Sequence, residues 1–186
     1  MIDTLVTSKT RIKLLLKFFL NRKTTSWLRD LEGEFGESTN SIRLELNRFE
    51  KAGMLESFNR GNKKIYRANA KHPLFEDVHN IIMKYIGIDR VVDKVISKIG
   101  ELHSAYLTGD FARGKDSPVI DLLLVGENID RVYLLKLVDK GEQLVNRKIR
   151  YIIINPEEVP EYLGDTDSAL MLWHKNNNGN NKSLIS

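Results

Sequence analysis

The stretch Tyr106–Gly126 reads YLTGDFARGKDSPVIDLLLVG. In it, an apolar run leads into a small-residue turn at Thr108 and Gly109, and a second apolar run follows a single carboxylate, Asp121. This pattern predicts a strand, a glycine turn, a short helix, a loop and a second strand. Unpaired backbone N–H groups and the helix dipole both favour an anion at such a turn. The stretch therefore predicts an anion-binding turn within an α/β unit.

The same stretch resembles the signature of the nucleotidyltransferase superfamily that has the DNA polymerase beta fold, especially its minimal members. That signature has an apolar strand, Gly-Ser, a short helix ending in Ala-Arg-Gly, and Asp-x-Asp at the start of the next strand. The residues that match it are Gly109, Ala112, Arg113, Gly114 and Asp121. Asp110 stands where the family has Ser, and Val119 stands where it has its first Asp. The resemblance thus implies the fold of that family with an altered active site.

The altered positions bear directly on catalysis. Nucleotidyl transfer requires two metal ions held by carboxylates, and Val119 supplies no metal ligand. The strand expected to add a third carboxylate includes Arg147–Tyr151, which contains no acidic residue. Asp110 also places a negative charge where a triphosphate would dock. An unusual site in which Asp110, Asp116 and Asp121 converge on one metal stays open, although their spacing does not favour it.

We therefore expect a nucleotidyltransferase-like domain that is not an enzyme and has no catalytic residues, metal site or cofactor. A vestigial nucleotide-binding site is expected at Gly109, Asp110, Arg113 and Asp121. Such a domain would serve in sensing, dimerisation or partner binding, with a small anion or a protein as its partner. The alternative is an active enzyme that uses Mg²⁺ and transfers a nucleoside monophosphate from a triphosphate to a protein, nucleic-acid or small-molecule acceptor.

Composition and charge narrow the class of protein. The 186 residues have a net charge of +4 and include no cysteine, which excludes disulfides and cysteine zinc sites. No apolar run approaches the roughly 20 residues that span a bilayer, and the first residues lack the order of a signal peptide, so we expect a cytoplasmic protein without a membrane partner. Residues 1–70 carry 14 Lys and Arg against 8 Asp and Glu, whereas 71–186 carry 15 against 17. This asymmetry predicts a polyanionic partner for the first part.

Residues 1–70 are expected to form three helices followed by a hairpin. The expected elements are helices from Ser8, from Thr25 or Ser26 and from Ser38–Ser41, and strands at 54–58 and 63–67. With the segment LNRFEKAGMLE at 46–56 and the basic hairpin after it, this order resembles the winged helix-turn-helix of bacterial regulators. The arsenic-repressor-like group is the most similar.

That resemblance implies binding to double-stranded DNA. With Ile42, Leu46 and Phe49 facing inward, the third helix directs amide and basic side chains outward. Amide and guanidinium groups read base edges, and lysines suit phosphates. The predicted DNA-binding residues are Asn40, Arg43, Asn47, Arg48, Lys51, Arg60, Lys63 and Lys64. A basic face that is only solvated, or one that docks a protein, is the alternative.

The rest of the chain is expected to form a connecting helix at 71–87, a nucleotidyltransferase-like domain at 88–174 and a disordered Asn-rich tail at 175–186. The segment HPLFEDVHNIIMKYIGI resembles the connector of a bacterial family that fuses these two domain types. Its helix, from Pro73 to Ile86, is apolar on more than one face, which predicts a homodimer. The domain elements expected after it include helices capped by Asp89 and Asn128 and strands at 148–154 and 169–173.

The sequence thus predicts a two-domain protein of the α+β or α/β class, with a winged helix-turn-helix followed by a mixed α/β domain. The main functional hypothesis is a DNA-binding transcriptional regulator whose second domain is inactive. Two hypotheses compete with it. One is an active nucleotidyltransferase directed to its target by the winged helix, and the other is an interaction protein that binds no DNA.

Overall fold

The computed structural model describes residues 6–99, 101–164 and 169–175, together with the backbone of 182–183. The chain divides into two compact units. The first is Met1–Tyr85 with Gly114–Asp116, and the second is Ile86–Arg113 with Ser117–Ser186. Across the described part of the chain, every helix is too short or too polar to traverse a lipid bilayer.

The first unit has the order helix, strand, helix, helix, strand, strand, helix. Its elements are α1 (Lys9–Phe19), β1 (Thr25–Trp27), α2 (Leu28–Phe35), α3 (Thr39–Lys51), β2 (Leu55–Arg60), β3 (Lys63–Ala68) and α4 (Phe75–Ile86). Ser8 caps α1 by accepting a hydrogen bond from the backbone N–H of Arg11, as expected. Ser38 caps α3 in the same way, through the N–H of Ser41.

The three strands of this unit form an antiparallel sheet with the order β1-β3-β2. The prediction that the second helix starts at Thr25 or Ser26 is wrong, because Thr25–Trp27 pairs with Ile65–Arg67 of β3. Threonine and tryptophan favour such extended pairing. The hairpin pairs Arg60 with Lys63, so its turn is shorter than the four residues expected.

Aromatic and aliphatic side chains fill the core of the first unit. Ile42, Leu46 and Phe49 are buried on the inner face of α3, as predicted. The Phe19 ring packs against the Phe75 ring of α4, with 5.6 Å between centroids. Since α4 groups with the first unit up to Tyr85, this helix belongs largely to that unit.

The second unit is built on a five-stranded mixed sheet with the order β6-β5-β4-β7-β8. Its elements are α5 (Ile88–Lys94), β4 (Leu102–Thr108), α6 (Gly109–Ala112), β5 (Val119–Gly126), α7 (Arg131–Val145), β6 (Lys148–Ile154), α8 (Val159–Leu163), β7 (Leu170–His174) and β8 (Lys182–Ser183), with 3₁₀ turns at Ile96–Lys98 and Pro156–Glu158. Strands β5 and β6 pair in parallel through the crossover helix α7, and the other pairs are antiparallel.

Two predicted helix caps lie elsewhere. Asp130, not Asn128, caps α7 by accepting hydrogen bonds from the N–H groups of Val132 and Tyr133. Helix α5 begins at Ile88, directly after Gly87, so Asp89 lies inside its first turn. Asn128 has a left-handed backbone, with φ 51°, which belongs to a turn rather than to a cap.

The strand at 148–154 is confirmed, and the last predicted strand is found at Leu170–His174. The tail expected at 175–186 lies mostly outside the described residues. Within it, Lys182–Ser183 pairs with Trp173 and His174 as a short strand, so this part of the tail does not fit the expected disorder.

Candidate functional site

Three polar residues lie in one row across three adjacent strands of the second unit, β4, β5 and the edge strand β6. Thr108 of β4 pairs with Asp121 of β5, and Asp121 pairs with Arg150 of β6. Cross-strand partners in a sheet have their side chains on the same face. At this row the surface forms a cleft of about 430 Å³, within the range of small-molecule sites. The cleft is lined by Thr108, Gly109, Asp121, Leu122, Arg150, Tyr151 and Ile152.

Asp121 and Arg150 form the central ion pair of the cleft. The Arg150 Nε donates to Asp121 Oδ1 at 2.5 Å. The Asp121 side chain is 16% exposed, whereas that of Arg150 is 73% exposed. The hydrogen bond to Asp121, with the negative charges of Asp121 and Asp110, raises the pKa of Arg150 above its ordinary value. The cleft thus contains a mostly enclosed carboxylate paired with an exposed guanidinium.

Gly109 brings the backbone turn directly against Asp121. Its φ is 66°, in the left-handed region that side chains disfavour. A Cβ at this position would lie 3.0 Å from the Asp121 Cγ and would overlap the carboxylate oxygen next to it. The position therefore requires glycine for both its backbone angle and its contact.

The row next to Asp121 offers no second carboxylate. Val119 pairs with Lys148, so the position of the family's first Asp holds an apolar side chain opposite a lysine. Lys148 in turn binds Glu142 at 2.7 Å. Among the residues that the structure describes, no three His, Cys, Asp or Glu side chains come together as a metal site. The residues therefore do not fit a centre with two resident metals.

The other predicted residues of this site lie outside the cleft. Asp110 follows Gly109 and is half-buried, but it does not line the cleft. Arg113 is exposed at the end of α6 and also lies outside the cleft. Asp116 groups with the first unit, whereas Asp110 and Asp121 belong to the second.

Sequence reasoning missed Arg150, Tyr151 and Ile152 as residues of the cleft. It noted only that Arg147–Tyr151 lacks an acid. The signal that identifies Arg150 is the parallel register of β5 and β6, which is visible only once the strands are placed.

The predicted DNA-binding residues are all exposed, on α3 and on the hairpin of the first unit. Three of them already have partners within the unit. Arg48 binds Glu45 at 2.9 Å, Lys64 binds Glu50 at 2.8 Å, and the Lys63 Nζ lies 3.9 Å from the centroid of the Trp27 ring. For Asn40, Arg43, Asn47, Lys51 and Arg60, the described part of the chain provides no such partner.

Two glutamates anchor this surface. Burial would raise the pKa of Glu45, but its hydrogen bonds and charge interactions with Arg11 and Arg48 hold that pKa below its ordinary value. Hydrogen bonds from Lys64 and Ser57 likewise lower the pKa of Glu50. The Glu50 pairs tie α3 to the hairpin, so Lys64 stabilises the unit in addition to carrying charge.

Comparison with known proteins finds neither a family model nor a curated protein that matches this chain. The solved structures that are similar to it include the following two crystal structures. The protein AF1382 of Archaeoglobus fulgidus is 17% identical with a TM-score of 0.36, and the match covers 54% of this chain and all of that one. A candidate nucleotidyltransferase from Sulfolobus solfataricus is 19% identical with a TM-score of 0.34, covering 54% of this chain and 88% of that one. At these TM-scores the likeness carries no argument of its own.

Two predictions are nevertheless corrected here. The chain was expected to be a DNA-binding transcriptional regulator, and its second domain was expected not to be an enzyme. One of the two similar structures is described as a candidate nucleotidyltransferase, an enzyme class, and neither is described as a regulator. The alternative stated from the sequence is an active nucleotidyltransferase, and the observations that bear on it are those of the cleft.

Proposed function

We propose that this chain is a nucleotidyltransferase that accepts a nucleoside triphosphate, with its divalent cation, at the cleft of the second unit. The observation that carries the proposal is the Asp121–Arg150 pair. Its carboxylate can ligate a divalent cation and its exposed guanidinium can donate to phosphate, which suits a ligand that is itself a cation–phosphate complex. Gly109 and Asp121, which lie against each other, both belong to the stretch that resembles the nucleotidyltransferase signature, and Arg150 lies on the neighbouring strand.

The cation is proposed to enter with the triphosphate rather than to reside in the protein. Asp121 would hold it, with Asp110 adding negative charge nearby. A cation at this position neutralises phosphate charge. Val119 supplies no carboxylate for a second cation, so we propose that Asp121 holds one of the two cations that nucleotidyl transfer requires and that the triphosphate oxygens hold the other. Asp110 then attracts the cation that accompanies the phosphates. This attraction opposes the repulsion between Asp110 and the triphosphate that was expected from the sequence.

The remaining walls of the cleft suit the nucleoside. Ile152 is 52% exposed although it lies beside Leu123, which is almost fully buried. Tyr151 and Leu122 also line the cleft. An exposed apolar surface next to a charged pair matches a ligand with one apolar and one charged end. We propose that the nucleobase lies against Ile152 while the phosphates lie at Arg150.

Calorimetric titration of the full chain with ATP, GTP, CTP and UTP in the presence of Mg²⁺ tests this proposal. We expect binding of at least one triphosphate, and its loss in Asp121→Asn. Asp93→Asn is the matched control, because Asp93 is exposed on α5 and does not line the cleft. A natural chain that binds none of the four nucleotides would overturn the proposal.

A second proposal concerns the acceptor. The order of elements in the first unit, with its β1-β3-β2 sheet, supports a winged helix. Asn40, Arg43 and Asn47 lie exposed along one helix, α3, and the first 70 residues carry six more basic than acidic residues. We propose that this surface binds a nucleic-acid duplex, which makes the nucleic acid, or a molecule bound to it, the acceptor.

We also propose that the chain forms a homodimer through α4. Ile81 of α4 is 47% exposed, and Leu74, just before the helix, is 52% exposed, although both are large apolar side chains. Exposed apolar side chains of this size are common at subunit interfaces. Sedimentation velocity over a range of concentrations tests the proposal.

A further inference from the structure

We propose that Arg150 selects the triphosphate by exchanging partners, holding Asp121 in the empty cleft and a phosphate group in the loaded one. The inference rests on the proposed function and adds a specificity-determining residue to it. In the empty cleft the guanidinium occupies the carboxylate that a cation would use. In the loaded cleft the incoming cation takes the carboxylate, and the guanidinium turns to the phosphates.

The geometry of Arg150 suits this exchange. Its Nε donates to Asp121, and within the described part of the chain its two terminal amino groups have no hydrogen-bond partner. Arginine carries five N–H donors in a planar fork that matches phosphate oxygens. Its side chain is 73% exposed, so it has room to turn without disturbing the core.

The enclosure of Asp121 also favours this exchange of partners. Its side chain is only 16% exposed, since Gly109 lies against one side and Arg150 covers the other. A bare divalent cation that takes Asp121 leaves Arg150 without its anion. A cation that arrives with a triphosphate supplies a new anion at the same time. The pair therefore disfavours the cation alone and favours the complex.

Lys148 does not perform the same exchange. It lies two residues before Arg150 on the same strand, and therefore on the same face, but its Nζ binds Glu142 rather than Asp121. Lys148 also lines a different surface depression from the one at Asp121. Lys148→Met thus removes one positive charge from β6 without touching the pair, which makes it a matched control.

The experiment measures Mn²⁺ binding to the full chain by electron paramagnetic resonance, without nucleotide and with ATP or AMP. We expect Arg150→Met to bind Mn²⁺ alone about tenfold more tightly than the natural chain, and Mn²⁺–ATP about tenfold more weakly. Its preference for ATP over AMP should shrink to a similar degree. Lys148→Met should behave as the natural chain does, and Arg150→Lys should keep the weak binding of Mn²⁺ alone because it retains the charge.

The outcomes separate the two proposals. If Arg150→Met binds both Mn²⁺ and Mn²⁺–ATP as the natural chain does, the exchange is wrong. If Arg150→Met binds Mn²⁺–ATP more weakly but Mn²⁺ alone unchanged, Arg150 contacts phosphate but does not hinder cation binding at Asp121, and the exchange is again wrong. If the natural chain binds no Mn²⁺–ATP, the proposed function fails, yet tighter Mn²⁺ binding by Arg150→Met would still support occlusion of Asp121 by Arg150.

Discussion

Asp121 and Arg150 are register partners on adjacent parallel strands, and the Arg150 Nε lies 2.5 Å from the Asp121 Oδ1. The pair sits at the edge of a mixed sheet, with a half-buried carboxylate and an exposed guanidinium. An arginine at this place gives the cleft a guanidinium, a group suited to phosphate, on the strand where the resemblance implies a metal-binding carboxylate.

Replacing Gly109 with alanine should destabilise the second unit by about 1–3 kcal/mol, because position 109 has a left-handed backbone. The overlap of the new Cβ with Asp121 should also displace the carboxylate and weaken nucleotide binding. Gly33→Ala is the control, since a Cβ at position 33 meets nothing within 4 Å. That change, within α2, should stabilise the chain by about 0.5–1 kcal/mol. Urea denaturation measures the unfolding free energy of both variants. Equal changes in Gly109→Ala and Gly33→Ala would contradict the contact described at Gly109.

Glu45→Gln should destabilise the first unit by about 1–3 kcal/mol, since Glu45 is buried and accepts charged hydrogen bonds from Arg11 and Arg48. The pKa of Glu45 is lowered in the folded chain, so its contribution is complete above the ordinary carboxyl pKa and is lost as pH falls through the folded value. The difference in unfolding free energy between Glu45→Gln and the natural chain should therefore become smaller at acidic pH. Glu32→Gln, on the exposed face of α2, should show little difference at any pH between 3 and 7. A Glu45→Gln difference that does not change with pH would contradict the ion pairs.

If α3 and the hairpin bind a duplex, Arg43→Ala and Arg60→Ala should each make the plot of log affinity against log salt concentration less steep, by about one unit of slope. Lys64→Ala should act partly through folding, because Lys64 holds Glu50. Lys84→Ala, on α4, is the control for lost charge. Fluorescence anisotropy at several salt concentrations measures the slopes. Identical slopes for Arg43→Ala, Arg60→Ala and Lys84→Ala would exclude this face as the binding surface.

Ile81→Lys should convert a homodimer into a monomer, since it places a charge within the proposed apolar contact. Leu135→Lys, at an equally exposed apolar position on α7, is the control and should leave the assembly unchanged. Sedimentation velocity distinguishes the species. A natural chain that stays monomeric at every concentration would end the dimer proposal.

The sequence predicted the elements better than it predicted their register. Periodicity placed Ile42, Leu46 and Phe49 on the buried face of α3, and β-forming residues located the strand at Lys148–Ile154. It failed at Thr25–Trp27, because pairing with β3 overrides the polar residues that resemble a helix cap. Local pattern contains no information about which residue on another strand lies opposite.

The candidate site was predicted only in part for the same reason. Gly109 and Asp121 stand out in the sequence, since a glycine turn and a lone acid beside apolar runs have few structural roles. Arg150 does not stand out, because its importance depends on the parallel pairing of β5 and β6. Asp110 was interpreted as an obstacle to phosphate. Its effect on the Arg150 guanidinium is visible only in three dimensions.

The central claim is that the cleft around Asp121 transfers a nucleotidyl group. The most direct measurement incubates the full chain with Mg²⁺ and α-labelled nucleoside triphosphates, alone and with duplex nucleic acid, and follows label transferred to protein or nucleic acid and pyrophosphate released. We predict transfer by the natural chain and by Asp93→Asn, and its loss in Asp121→Asn. No transfer by the natural chain under any of these conditions, or equal transfer by Asp121→Asn, would contradict the account.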